Sequence, residues 1–235
     1  MDGRKKKIYI SAIALLLAIV AAAALCSAAF TERLGLNTTA ARTEASADPD
    51  AYRDSAEADE SFFIWDGNTI SGLTDEGMRQ TAIIIPERCT GIAAGVFGGS
   101  CAAYVFFESD SSLSLDGAFS GAESLAYIEL PEELEEIGQE TFWGCSSLTS
   151  IEIPDSVEII GDRAFQWCTG LEEATIGSGL KEIGERAFQG CSSLTSIEIP
   201  DSVESIGNYA FAECTLLEDV TIPEGTETGE YTFPG

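Results

Sequence analysis

Hydrophobic residues recur along most of the chain with a nearly constant period. Phenylalanines stand at almost equal intervals, at positions 97, 119, 142, 165, 188, 211 and 233. Between them lies the pattern L-x-x-I-x-I, as in Leu148, Ile151 and Ile153. Side chains two residues apart point to the same face of a β-strand. Each unit is therefore predicted to contain one short strand, and the repetition predicts a solenoid.

Residues that end or turn the backbone bound each predicted strand. A proline, which cannot continue a β-ladder, follows the strand in four units: Pro131, Pro154, Pro200 and Pro223. A glycine recurs four residues before the phenylalanine: Gly138, Gly161, Gly184 and Gly207. Such a glycine indicates either a turn with positive φ or a close approach of two backbones. The phenylalanines are expected to stack as a column in the core.

Two long segments of the repeat region have the same sequence. Cys145–Glu158 and Cys191–Glu204 are identical and stand two units apart, which indicates duplication of a two-repeat block. The unit I-x-x-I-G-x-x-A-F-x-x-C-x-x-L-x-x-I-x-I-P resembles the BspA-like, or Treponema pallidum type, leucine-rich repeat over residues 61–235. The resemblance implies an α/β repeat solenoid, right-handed, with units of about 23 residues. It also implies a surface protein concerned with attachment to host proteins or to other cells.

The N-terminus has the composition of an export segment. Basic residues at 4–7 precede an apolar run from Ile8 to Leu25 and small residues at 26–29. This order predicts that residues 1–30 are either a cleaved signal peptide or an uncleaved signal anchor. Both alternatives place the remainder outside the membrane, secreted or at the cell surface, and only this segment would contact the membrane.

Two further segments precede the repeats. Residues 31–60 are polar and acidic, which predicts a disordered spacer. Residues 61–75 contain Asp66-Gly67-Asn68 between apolar runs and are predicted to form a β-hairpin cap. About six repeats follow, and the last unit is incomplete. Its open end is expected either to fray or to be covered by another protein or a second copy, which would be self-association.

Charge and composition exclude several classes of function. The net charge is −28, with 40 acidic and 12 basic residues, so binding to nucleic acid or to anionic lipid is disfavoured. The chain has no histidine, which removes Ser-His-Asp and Cys-His nucleophiles and histidine metal ligands. A carboxylate pair of the glycosidase type remains formally open, but no pocket is indicated that would raise one pKa. We therefore predict a protein that is not an enzyme and has no cofactor.

Seven cysteines occur, of which four share one position of the unit: Cys145, Cys168, Cys191 and Cys214. Stacked positions lie on a line about 4.7–4.9 Å apart, which suits neither a tetrahedral metal site nor disulfides between neighbours. These cysteines are predicted to be small buried side chains. Cys89 and Cys101 lie outside this row, and whether they pair with each other stays open.

The strand residues that alternate with the buried ones define a predicted concave face. Two interpretations are open: a solvated acidic surface, or a docking surface for a basic partner or Ca²⁺. Its candidate ligand-binding residues are Tyr127, Glu129, Ser150, Glu152, Glu173, Thr175, Ser196, Glu198, Asp219 and Thr221. On the convex side, Trp143 and Trp167 depart from the repeat consensus, so they either pack locally or contact a partner.

Taken together, these patterns favour an exported recognition or adhesion module that binds a protein or glycan on another cell or host surface. The alternative is a structural component of the surface coat, or a truncated paralogue, with no specific ligand. A measurable ligand distinguishes the two.

Overall fold

The computed structural model describes Pro49, Tyr52, Arg53, Ala56 and residues 58–110, 113–218 and 220–233. The predicted export segment and most of the predicted spacer lie outside these residues. Within the described part of the chain, no helix is long and apolar enough to cross a membrane.

The repeats are preceded by an antiparallel hairpin. A 3-10 helix at Glu60–Phe62 leads into β1 (Phe63–Asp66), which pairs with β2 (Thr69–Leu73). Gly67 stands in the connecting turn with a φ of 62°, a conformation that glycine adopts without a steric penalty. The hairpin joins the repeats through β2, which pairs in parallel with β4 (Gly91–Ile92).

The repeats are built from two rows of short parallel strands. The first row consists of β3 (Ala82–Ile85), β5 (Tyr104–Phe107), β6 (Tyr127–Ile128), β8 (Ser150–Ile153), β10 (Glu173–Ile176) and β12 (Ser196–Ile197). It forms two parallel sheets, β3-β5-β6 and β8-β10-β12. The second row continues after β4 with β7 (Glu136–Ile137), β9 (Ile159–Ile160), β11 (Glu182–Ile183), β13 (Ser205–Ile206) and β14 (Glu227–Thr228).

The solenoid prediction is confirmed, with about seven turns where the sequence predicted about six units. The first turn precedes Phe97 and contains β3, whose apolar sequence AIII departs from the repeat consensus. A second 3-10 helix lies at Gly77–Arg79, and the described part of the chain contains little helix otherwise. The connections on the side opposite the first row of strands are mostly turns.

The phenylalanines form the predicted column through the core. Neighbouring rings from Phe97 to Phe233 are stacked, with centroids 4.7–5.4 Å apart. The backbone supports the column, since the N–H of Phe165 donates to the Ala187 carbonyl at 2.7 Å and Phe142 and Phe188 bond in the same way. Each turn thus adds one ring to the core, and a backbone hydrogen bond to the next turn holds that ring's residue in place.

The recurring glycines are required by close approach and not by positive φ. A Cβ on Gly161 would lie 2.8 Å from the Gln139 nitrogen, and one on Gly184 would lie 2.7 Å from the Asp162 nitrogen. Positive φ occurs two residues later, at Arg163 (56°) and Arg186 (57°). Close backbone approach and positive φ, the two alternatives for the glycine, therefore both occur in the unit, but at different positions.

The four cysteines of the row are free thiols with no exposed surface, as predicted. Each thiol donates to the carbonyl of a phenylalanine in the preceding turn, at 3.0–3.2 Å. Burial raises the pKa of Cys214 to about 12 and that of Cys145 well above its usual value. Cys89 is also a free thiol and contacts the Gly91 carbonyl at 3.2 Å, so it does not pair with Cys101.

Candidate recognition surface

The outward side of the first row of strands, here called the strand face, is the surface that the sequence predicts to be concave. The parallel register sets Thr175 beside Glu152, and places Glu173 between Ser150 and Ser196. Most of the predicted residues are exposed or half-buried on this face: Tyr127, Glu129, Ser150, Glu152, Glu173, Thr175, Ser196 and Glu198. Thr221 is exposed but lies beyond the last strand of the row, and Asp219 falls outside the described residues.

The C-terminal half of the strand face is acidic and open to solvent. Glu152, Glu173 and Glu198 stand on three successive strands or at their ends and are exposed. No ion pair or side-chain hydrogen bond engages these three carboxylates within the described part of the chain. Among the described residues, no three acidic or cysteine side chains are grouped so that they could hold a metal ion. The arrangement is an open row of negative charge suited to a cationic surface.

The N-terminal half of the strand face is aromatic, and of its aromatic residues only Tyr127 is among the residues predicted from the sequence. Tyr104 and Phe106 point outward from β5 and are 0% and 1% exposed. They form a second apolar cluster, separate from the core, to which Ala82, Ile84 and Tyr127 contribute partly buried side chains. The ring of Phe106 lies 5.9 Å from that of Tyr127. Outward side chains of a solenoid strand become this deeply buried only when something lies over them.

Tyr52 and Arg53, which belong to the predicted spacer, lie over this aromatic cluster. The Tyr52 ring stacks on Tyr104 with centroids 4.0 Å apart and an interplanar angle of 11°. The Arg53 guanidinium lies 5.9 Å from the Phe106 ring centroid, within the range of a cation–π contact. The same group donates to both carboxylate oxygens of Glu129 at 2.6 Å.

This contact has a buried part, the stacked tyrosine rings, and a solvent-exposed part, the ion pair of Arg53 and Glu129. Burial raises the pKa of Tyr104 well above its usual value, with a smaller contribution from Tyr52, so Tyr104 stays a neutral phenol. The side chains of Arg53 and Glu129 are each 44% exposed, so solvent screens their ion pair. The stacked rings therefore supply most of the contact's burial, and the ion pair fixes its orientation.

The aromatic half could have been found from the repeat period. Tyr104 and Tyr127 stand one repeat apart in the sequence, and so do Phe106 and Glu129. The period therefore continues through β5, although residues 98–118 lack the Ile-Gly block that identifies the other units. The contact with Tyr52 and Arg53 had no comparable indication, because it joins segments that share no periodicity.

The two tryptophans on the other side of the solenoid are partly exposed. Trp143 is 40% exposed and Trp167 is 39% exposed. Trp167 has a φ of 63° at a position where Gly144 and Gly190 also have positive φ. Its ring lies against Gly190 of the next turn, where a Cβ would collide with it. Trp167 thus packs locally while keeping part of its ring accessible to a partner.

Comparison with known proteins assigns the family. The sequence matches the BspA type leucine rich repeat region in six copies, over residues 76–154 and 135–235. The chain belongs to the BspA-type leucine-rich repeat family. The family prediction made from the repeat unit is therefore confirmed. Proteins with BspA-type repeats are in general surface-associated binding modules, and solenoids of this family are typically non-catalytic.

Solved structures of leucine-rich repeat proteins share the fold. The leucine-rich repeat protein TpLRR of T. pallidum is 28% identical, with a TM-score of 0.67, over 74% of this chain and 86% of that one. A leucine-rich cell surface protein of Faecalibacterium prausnitzii is 25% identical, with a TM-score of 0.57, over 70% of this chain. A leucine-rich repeat protein of Bacteroides ovatus is 25% identical, with a TM-score of 0.53, over 72% of this chain.

The match to these structures is uneven in length. The chain spans 54% of the Faecalibacterium protein and 53% of the Bacteroides protein, so about half of each has no counterpart in the alignment. No curated protein sequence matches the chain.

Proposed function

We propose that the protein is exported, stands at the cell surface and binds a protein or glycan partner through the strand face, without catalysis. The observation that carries the proposal is the open row of Glu152, Glu173 and Glu198, whose carboxylates have no partner within the described residues. The parallel register places Thr175 beside Glu152 and serines on both sides of Glu173, so the three carboxylates are spread along the face and are not adjacent to one another. Their combined negative field would attract a basic partner surface.

Export is supported by the basic and apolar N-terminal pattern and by the description of the Faecalibacterium relative as a cell surface protein. The test is protease treatment of intact cells that produce the full chain. We expect the repeats to be cleaved or released while a cytoplasmic marker is retained. A pool that stays protected in intact cells and becomes sensitive only after lysis would contradict export.

Binding through the strand face is tested by charge neutralisation on two faces. The full chain is screened against surface proteins and glycans, and any ligand found is measured against E152Q/E173Q/E198Q. The matched control, E136Q/E182Q/E204Q, removes the same charge from exposed positions on, or directly before, the second row of strands. We expect the strand-face variant to weaken binding about tenfold and to flatten its salt dependence, with little change in the control.

Other outcomes assign the surface differently. Equal affinity in all three proteins would move the site to the opposite side, where Trp143 and Trp167 become the candidate contacts. A chain that is present at the cell surface but binds nothing in such a screen would support the alternative role as a structural component of the coat.

A further inference from the structure

The aromatic end of the strand face has the features of a filled binding site. Four residues, Tyr104, Phe106, Tyr127 and Glu129, form a surface that we call the aromatic cradle. It receives two adjacent side chains, one aromatic and one cationic, from a segment outside the repeats. The rings stack with centroids 4.0 Å apart, and the guanidinium donates to both carboxylate oxygens at 2.6 Å, a two-oxygen pairing that adds geometric specificity.

The repeat does not require the rings of the cradle. The inward positions of β5 and β6, Val105 and Ile128, belong to the core and match the consensus. The outward positions differ from turn to turn. Ser150 stands one repeat after Tyr127, and Glu129 stands one repeat after Phe106. A strand in this fold therefore tolerates polar outward residues. The aromatic residues at this end are not needed for the fold, so their role lies in the surface that they form.

The geometry also selects the order of the two ligand side chains. Tyr104 and Phe106 are two residues apart on one face of β5, and Glu129 occupies the position corresponding to Phe106 in the next turn. An aromatic residue that stacks on Tyr104 places the next side chain near Phe106 and Glu129. A planar guanidinium can lie toward the Phe106 ring and donate to the carboxylate at the same time, a combination that a compact, strongly hydrated lysine ammonium makes less well.

We propose that the aromatic cradle is a recognition site for peptide segments in which an aromatic residue is followed directly by arginine, with Tyr52–Arg53 as its resident, displaceable occupant. As a site for an external partner it rests on the proposed binding function. A tethered occupant competes at an effective concentration on the order of millimolar. The apparent affinity for an external segment is the intrinsic affinity multiplied by the fraction of molecules in which the cradle is empty.

The proposal is tested with the full chain in mild detergent and a labelled synthetic peptide that copies residues 48–57. Fluorescence anisotropy compares the wild-type chain with Y52A/R53A, in which the resident side chains are removed. We expect Y52A/R53A to bind the peptide at least about tenfold more tightly than the wild type. A peptide with alanine at both central positions is the matched control and should not bind either protein. Far-ultraviolet circular dichroism verifies that each variant keeps the solenoid.

A second substitution assigns the peptide to the cradle. Adding Glu129→Gln to Y52A/R53A removes the carboxylate that pairs with the guanidinium and should weaken peptide binding at least about fivefold. Adding E152Q/E173Q/E198Q instead should leave it nearly unchanged, because these residues lie outside the cradle. This pair of variants separates failure of the cradle from failure of the acidic row that carries the proposed function.

Limited trypsin digestion gives a readout inside the intact chain. Docking of Arg53 against Glu129 should slow cleavage after Arg53, and Glu129→Gln alone should speed it severalfold. Peptide binding that is equal for the two peptides, or absent from Y52A/R53A, would overturn the proposal. So would cleavage after Arg53 at the same rate in the wild type and in Glu129→Gln.

Discussion

The two halves of the strand face have the same backbone and opposite surface chemistry. At the N-terminal half, Tyr104 and Phe106 are fully buried beneath Tyr52 and Arg53. At the C-terminal half, Glu152, Glu173 and Glu198 are exposed, and no partner covers them within the described residues. The strands of both halves pair in parallel, each with the equivalent strand of the neighbouring turn.

The difference shows how the solenoid divides its residues between folding and recognition. Inward positions repeat because each must fit against the same position of the neighbouring turn. Outward positions contact only their lateral neighbours and whatever lies over them, so they can diverge without loss of the fold. In a BspA-type array, we therefore expect the outward positions to determine partner specificity, whereas the inward positions identify the family.

The largest expected effect is the loss of stability on substitution of a core phenylalanine, and it tests whether the two halves of the strand face share one core. Phe165 lies in the middle of the column, has no exposed surface and stacks on both neighbours at 5.1 and 4.9 Å. Phe165→Ala should lower the free energy of unfolding by about 3–5 kcal/mol, measured by urea denaturation. Trp143→Ala, at an exposed site, should cost less than about 1 kcal/mol. Separate unfolding of the two halves in the wild type would contradict a common core.

A smaller effect is expected from the row of thiols. Cys168→Ala removes a buried sulfur and its 3.0 Å bond to the Phe142 carbonyl, so it should cost about 1–2 kcal/mol. Cys89→Ala, at a half-buried thiol between β3 and β4, should cost about half as much. Native thiol labelling should also modify Cys89 well before the four cysteines of the row. Rapid labelling of Cys168 in the native state would show that the row is accessible.

The aromatic contact should be worth less than a core residue and should act locally. Tyr52→Ala removes the ring stacked on Tyr104 and should cost about 1 kcal/mol. Hydrogen exchange should increase in β3 and β5 and stay unchanged in β10 and β12. Tyr231→Ala is the matched control at the other end, because Tyr231 also stacks on a tyrosine, Tyr209, but is 69% exposed. Equal exchange in β5 with and without Tyr52 would show that the ring does not protect that strand.

The sequence predicts the inward half of this molecule well because each inward residue recurs. The phenylalanine column and the buried cysteines follow from the period alone, and both are present in the structure. Positive φ was one of two alternatives for Gly161 and its equivalents, and it is found at Arg163 instead. The glycine is retained because the neighbouring backbone, 2.8 Å from its absent Cβ, leaves no room for a side chain.

The outward half was predicted only in part. The acidic positions were found because they alternate with consensus residues, whereas Tyr104 and Phe106 were missed because their unit lacks the consensus glycine. The docking of Tyr52 and Arg53 is a contact between chain segments that are far apart in the sequence, with no repeat to indicate it. Such contacts depend on complementary surfaces, which a single sequence does not display.

The smallest expected effect is predicted from a comparison of Asp155, whose carboxylate accepts hydrogen bonds, with Asp201, for which none is found within the described residues. Asp155 and Asp201 occupy the same position of the two identical segments. Asp155 accepts hydrogen bonds from the Ser178 backbone N–H at 2.7 Å and from its hydroxyl at 3.0 Å. These bonds hold the pKa of Asp155 below the ordinary aspartate value of 3.8. Glu224 stands one repeat after Asp201, where Ser178 stands after Asp155, and no side-chain hydrogen bond of Asp201 is found within the described residues.

Because the pKa of Asp155 is lowered in the folded state, its contribution to stability is present above the unfolded pKa and is lost as the pH falls through the folded pKa. Asp155→Asn should therefore lower the urea midpoint slightly at pH 6, and the difference from wild type should disappear towards pH 2. Asp201→Asn removes the same charge without removing such bonds and should lower the urea midpoint at pH 6 less than Asp155→Asn does. Comparing the two variants cancels the general effect of protonating the many other carboxylates, because each removes one charge from the same repeat position. Parallel pH profiles for the two variants would mean that the Ser178 bonds contribute nothing to the folded state.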